Sequence, residues 1–76
     1  MKVVLESLGQ DAFIVEEKPG EYFLLDRRRR RAYGPASLAR LTKTMPTRQF
    51  AGSEELVLGW FADAERVGLG QRASDA

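Results

Sequence analysis

The sequence predicts an α+β domain in which a three- to four-stranded antiparallel sheet packs on a C-terminal helix, with or without a second short helix. Residues 2–33 predict the sheet because they are rich in β-branched and aromatic residues and are interrupted by turn sequences. Residues 53–68 predict the helix because apolar side chains recur there at helical spacing. A chain of 76 residues supports one modest core, so residues 1–76 are expected to form a single domain.

The first elements along the chain are strands. The segments "KVVLESL" and "AFIVEE" have strand composition, and "KPG" at residues 18–20 is a turn that leads directly into "EYFLLD". These segments predict a β-hairpin in which apolar side chains point to both faces. We expect one face to pack on the helix and the other to be partly covered by the tail, a loop or a partner.

Five consecutive arginines follow the hairpin in "EYFLLDRRRRRAYG". Arginine keeps its charge at neutral pH and is almost never buried without a partner. A continuous strand would direct two or three of the five guanidinium groups into the core. The sequence therefore predicts a turn near residues 26–28 and a strand over residues 29–33, with the arginines exposed at the tip.

The second half of the chain contains the predicted helix. Residues 36–45 fit either a short helical turn or an edge strand, and the helix follows "TRQFAG". Ser53 is suited to cap that helix, Arg66 lies near its predicted last turn, and Gly68 is placed to end it. Residues 69–76 are expected to be a frayed tail. The predicted core stripe comprises Leu56, Trp60, Ala64 and Val67, widened by Val57 and Phe61.

The composition argues against an enzyme. The chain has no cysteine and no histidine, which excludes disulfides, thiolate and imidazole metal sites, cysteine nucleophiles and Ser-His triads. Glu16 and Glu17 are adjacent in a strand, so they point to opposite faces and cannot act as a carboxylate pair. We expect no catalytic residue, no metal and no cofactor. Short apolar stretches and the early Glu6 predict a soluble, cytoplasmic protein without membrane contact. We also expect a monomer.

Charge is separated along the chain. Residues 1–26 carry two basic and six acidic side chains, residues 27–53 carry eight basic and no acidic ones, and residues 54–76 carry two basic and five acidic ones. Such separation suits electrostatic docking on a protein partner or on nucleic acid. The segments could instead neutralise one another across the sheet, leaving a solvated tip.

Several motifs resemble a known family. "MKVV", "FIVEEKPG", "RQFAGSEELVLGWF" and "GLGQR" are similar to the small type I-F anti-CRISPR proteins that bind the backbone subunits of the Cascade surveillance complex. The similarity covers about half of the chain and is mostly at cap and core positions, while the arginine run has no counterpart in the family. The matched positions are Phe50, Ser53, Glu54, Leu56, Trp60, Phe61, Gly68, Leu69 and Gly70.

The resemblance implies a four-stranded antiparallel sheet with helical cover and a protein that blocks target-DNA pairing without catalysis. We therefore expect a non-enzymatic Cascade inhibitor whose partner is a backbone subunit. The alternative is a small nucleic-acid-binding regulator that uses the same arginines. The predicted partner-binding residues are Arg27, Arg28, Arg29, Arg30, Arg31, Tyr22, Tyr33, Glu16 and Glu17.

Overall fold

The computed structural model describes residues 1–69 and has an α+β fold with one six-stranded sheet and two helices. The sheet order is β5-β1-β2-β3-β4-β6, and all neighbouring strands are antiparallel except the parallel pair β4 and β6. The elements are β1 (Lys2–Ser7), β2 (Ala12–Lys18), β3 (Glu21–Asp26), β4 (Arg31–Ala36), α1 (Leu38–Thr42), β5 (Thr47–Gln49), α2 (Glu54–Asp63) and β6 (Glu65–Val67).

The α+β class is confirmed, but the prediction of three to four antiparallel strands was wrong. Two three-residue strands, β5 and β6, extend the sheet at its two edges. Three residues are too few to show a strand period, so only pairing with a longer neighbour defines these strands. The second helix is present: within residues 36–45, α1 spans Leu38–Thr42, while Ala36 ends β4. Within residues 1–69, neither helix is long and apolar enough to span a bilayer.

The main helix begins where the sequence predicts and ends earlier. Ser53 has an extended backbone and its Oγ accepts a hydrogen bond from the Leu56 N–H, which confirms the predicted cap. The prediction that the helix continues to Gly68 was wrong, because α2 ends at Asp63 and the chain turns into β6. Pairing of β6 with β4 satisfies backbone groups that a longer helix would have satisfied internally.

Each face of the sheet carries its own apolar cluster. On one face, Val57 and Phe61 of α2 pack on the central strands, and on the other, Leu41 and Met45 pack on Ile14. The expectation that one face packs on the helix is confirmed, but the other face is covered by α1 together with Met45 and Leu69, and not only by a tail, a loop or a partner. The predicted core stripe of the helix was wrong at Leu56, which is 54% exposed. Its members Val57 and Phe61 are buried, and Trp60 and Ala64 pack against the same cluster.

Only the first residue of the predicted tail, Leu69, belongs to the described part of the chain. Leu69 packs against the cluster beside α1. Residues 70–76 of the predicted frayed tail lie outside the described residues.

Candidate binding site at the arginine turn

Residues 27–30 form the turn between β3 and β4, which we call the arginine turn. The prediction of exposed arginines at a hairpin tip is confirmed, although the turn lies one to two residues later than predicted and the strand after it begins at Arg31. Arg30 has a φ of 56°, in the left-handed region, and its N–H donates to the Arg27 carbonyl at 3.3 Å. The Arg30 carbonyl in turn accepts from the Glu65 N–H at 2.9 Å, which ties the turn to β6.

Asp26 holds the start of the turn. Its Oδ1 accepts from the Arg29 N–H at 3.1 Å, and its Oδ2 accepts from Arg29 Nη1 at 2.9 Å. Partial burial opposes ionisation of Asp26, but these hydrogen bonds and the charge of Arg29 outweigh it and hold the pKa of Asp26 below its ordinary value. Arg29 is therefore committed to the turn itself.

Asp26→Asn is expected to lower the free energy of unfolding at pH 7 by on the order of 1 kcal/mol, because a charge-assisted hydrogen bond becomes a neutral one. The lowered pKa means that Asp26 contributes this stability above its unfolded-state pKa and loses it as the pH falls through the folded-state value. Urea unfolding at pH 7 and at about pH 2 should therefore show a difference that shrinks in acid.

Asp63→Asn is the control for this pH dependence, because Asp63 makes no ion pair within residues 1–69. The free energy of unfolding of this variant is expected to stay within about 0.5 kcal/mol of the wild-type value at both pH values. If Asp26→Asn lowers the free energy of unfolding by the same amount at both pH values, the role of the Asp26 charge would be contradicted.

Arg27 is held by contacts on two sides, although 48% of its side chain is exposed. Its Nη1 lies 2.9 Å from Asp11 Oδ2, and its Cζ lies 4.3 Å from the centroid of the Trp60 ring. Its backbone N–H also donates to the Asp11 carbonyl at 3.1 Å. Phe13 lies on the same aromatic group, with a centroid distance of 5.8 Å to Trp60. Arg27 therefore fastens the turn to α2 and has little freedom to pair with a ligand.

The other arginines of the run are available. Among residues 1–69, Arg28, Arg30 and Arg31 make no ion pair, and all three are exposed. A cleft of about 520 Å³ lies between the arginine turn and the carboxyl-terminal end of α2, and we call it the arginine cleft. It is lined by Asp11, Leu25, Arg27, Arg28, Arg30, Trp60 and Asp63.

The predicted aromatic and acidic site residues lie mostly on the other face of the sheet. Glu16 is opposite Tyr22 in the register, and Tyr22 packs against the cluster beside α1. Partial burial and the negative charge of Glu16 raise the pKa of the Tyr22 hydroxyl. Tyr33 is opposite Leu24, which packs on the same cluster. The structure therefore does not bring Glu16, Tyr22 and Tyr33 into the arginine cleft.

Glu17 lies on the α2 face but has a partner there. Its Oε2 is 3.2 Å from Arg66 Nη1, and the Arg66 guanidinium stacks on Phe23 and Phe61 with centroid distances of 4.9 and 4.2 Å. This ion pair covers the edge of the core cluster that contains Phe23 and Phe61. Glu17 is therefore separate from the arginine cleft.

Sequence reasoning missed four residues of the cleft. It placed Leu25 in a strand and Trp60 in the core stripe, and it gave no role to Asp11 or Asp63. The hairpin register contained one usable signal, because Ala12 pairs with Asp26 and the next position places residue 11 beside residue 27. The three-residue step from Trp60 to Asp63 also places both on neighbouring positions of one helix face.

Comparisons of the chain with protein-family models, with curated proteins and with solved structures found no match. Residues 1–69 contain no group of three or more acidic side chains that could hold a metal ion. The chemistry available at the site is therefore that of guanidinium groups, two carboxylates and an indole.

Proposed function

We propose that the protein is a non-enzymatic inhibitor of a type I CRISPR-Cas surveillance complex, acting as a cytoplasmic monomer that binds Cascade backbone subunits and blocks target-DNA hybridisation. The observation that carries the proposal is that the arginine turn and the first residue of β4 present Arg28, Arg30 and Arg31 without ion-pair partners among residues 1–69. The motif resemblance supplies the identity of the target.

Preorganisation supports a binding role for the turn. Hydrogen bonds from Arg29 and stacking of Arg27 on Trp60 fix the backbone that carries Arg28 and Arg30. A fixed backbone lowers the entropic cost of association, because ordering the backbone of one residue costs about 1–2 kcal/mol. Arginine suits this position because its planar guanidinium pairs with carboxylates through two parallel hydrogen bonds.

The mixed charge of the site favours a protein partner over a polyanion. Asp11 and Asp63 line the same cleft as the arginines. A nucleic-acid backbone would bring phosphates against Asp63, whereas a protein surface can present a donor there. The unbroken basic character of residues 27–53 keeps a nucleic-acid-binding regulator as the alternative.

The test is capture of a reconstituted Cascade complex by the purified protein, followed by native mass determination and a target-DNA loading assay. We expect the wild type to be captured and to block loading. Arg28→Glu with Arg30→Glu should weaken capture by about 30-fold or more, because reversing buried charge partners at an interface costs at least 2 kcal/mol.

Arg40→Glu with Lys43→Glu is the matched control, because it makes the same change in net charge on exposed residues of the α1 side. This control should be captured like the wild type. Absence of capture, together with DNA or RNA binding whose affinity falls steeply between low and physiological salt, would replace the inhibitor with the nucleic-acid regulator.

A further inference from the structure

We infer that the arginine cleft is a subsite for a carboxylate side chain on an acidic peptide segment of the partner, and that it selects carboxylates against phosphates. This inference rests on the proposed binding function and specifies the chemistry that the arginine turn recognises. It concerns the cleft between the turn and α2, which the motif resemblance does not assign.

Two of the three arginines in the cleft are free to bind the carboxylate. Arg27 is held by Asp11 and Trp60, so its charge is already compensated. Arg28 and Arg30 line the same cleft and make no ion pair within the described chain. Their guanidinium groups are strong donors for the two oxygens of a carboxylate.

The walls of the cleft strengthen such a pair. Trp60 provides apolar surface beside the guanidinium groups, and the fully buried Leu25 lies behind it. The indole ring shields one side of the cleft from water, and a charge pair is stronger where water is partly excluded. A volume of about 520 Å³ lies within the roughly 300–1,000 Å³ range of ligand pockets, so the cleft suits a few side chains rather than a whole helix.

Asp63 supplies the selectivity against phosphate. It is the last residue of α2, lines the cleft and makes no ion pair among residues 1–69. The carboxyl end of a helix also carries partial negative charge. A phosphodiester chain has a charge at every nucleotide, so neighbouring phosphates would meet this negative end. An acidic peptide separates its charges with backbone N–H groups, which can donate to Asp63.

Trp60 makes the cleft directly observable because it is the only tryptophan in the chain. The experiment titrates the full-length protein with three probes at one ionic strength and records Trp60 fluorescence. The probes are a blocked pentapeptide with two glutamates, the same peptide with glutamines, and a thymidine pentanucleotide. We expect the glutamate peptide to give a saturable change and the other two probes to bind at least about tenfold more weakly.

Two variants separate binding from folding, with circular dichroism to verify that each is folded. The double variant Arg28→Gln with Arg30→Gln should bind the glutamate peptide at least about tenfold more weakly than the wild type does. The control variant Arg40→Gln with Lys43→Gln should bind this peptide with unchanged affinity. Asp63→Asn should strengthen binding of the pentanucleotide several-fold, because it removes the repelling charge.

The outcomes distinguish this inference from the proposed function. No response of Trp60 to the glutamate peptide, with Cascade capture still lost in Arg28→Glu with Arg30→Glu, would overturn the subsite and leave the inhibitor proposal intact. A selective response to the glutamate peptide without Cascade capture would support the subsite and remove Cascade as the target. Equal or tighter binding of the pentanucleotide would overturn the selectivity for carboxylates.

Discussion

Phe61→Ala is expected to lower the free energy of unfolding by about 3–5 kcal/mol, which is the usual cost of removing a buried aromatic ring. Phe61 is fully buried and meets Phe23 edge to face with a centroid distance of 5.4 Å. Arg66 stacks on the same ring, so the variant also removes the surface on which the Arg66–Glu17 pair rests. Small domains are stable by only about 5–15 kcal/mol in total, so most of the protein's stability would be lost.

Urea unfolding followed by far-ultraviolet circular dichroism measures this effect. Leu56→Ala is the matched control in the same helix, because Leu56 is 54% exposed and its truncation should cost no more than about 0.5 kcal/mol. Equal losses from the two variants would show that α2 packs through the Leu56 side and would contradict the described core.

The contrast between Leu56 and Phe61 shows how far the sequence predicts this helix. The Ser53 cap and the acidic first turn have local signatures, so the start of α2 could be predicted from a few residues. The sequence does not determine which face of the helix is buried. Residues 56, 57, 58, 60 and 61 all have apolar side chains, and they spread over a wide part of the helix surface. Only contact with Val15 and Phe23 on the sheet selects Val57 and Phe61.

The edges of the sheet depend on contacts that local pattern does not contain. β6 is three residues long and lies parallel to β4, with Tyr33 opposite Val67 in the register. The local sequence of these residues continues the helical pattern, which is why the helix was predicted to reach Gly68. Long-range pairing with β4 outweighs that local preference, as tertiary contacts commonly do.

The exposed position of the arginines could be predicted from the sequence, but the residues that surround and pair with them could not. Charge alone placed the arginines at the surface, since five guanidinium groups cannot be buried without partners. Which of them stay free depends on Asp11, 16 residues before Arg27, and on Trp60 in a distant helix. Neither contact follows from periodicity, so sequence patterns alone cannot distinguish the roles of the five arginines.

Gly34→Ala is expected to cost about 3 kcal/mol or more, because the added methyl group has no space between two central strands. A Cβ at this position would lie 2.6 Å from the Tyr22 carbonyl oxygen and 2.8 Å from Phe23 Cδ2. The carbonyl belongs to the β3 backbone, and the Phe23 ring is itself packed on Phe61. Relief of the clash therefore requires β3 and β4 to separate or the core to repack.

Gly59→Ala is the control, because Gly59 is exposed in α2 and a Cβ there would meet nothing within 4 Å. Alanine has a higher helix propensity than glycine, so the free energy of unfolding of this variant should rise by about 0.5–1 kcal/mol. The same chemical change is thus expected to have opposite signs at the two positions, as measured by urea unfolding of both variants. A Gly34→Ala protein as stable as the wild type would mean that β3 and β4 do not approach as closely as the structure places them. Because the arginine turn is the connection between these two strands, that result would also weaken the case for a turn held in one geometry for binding.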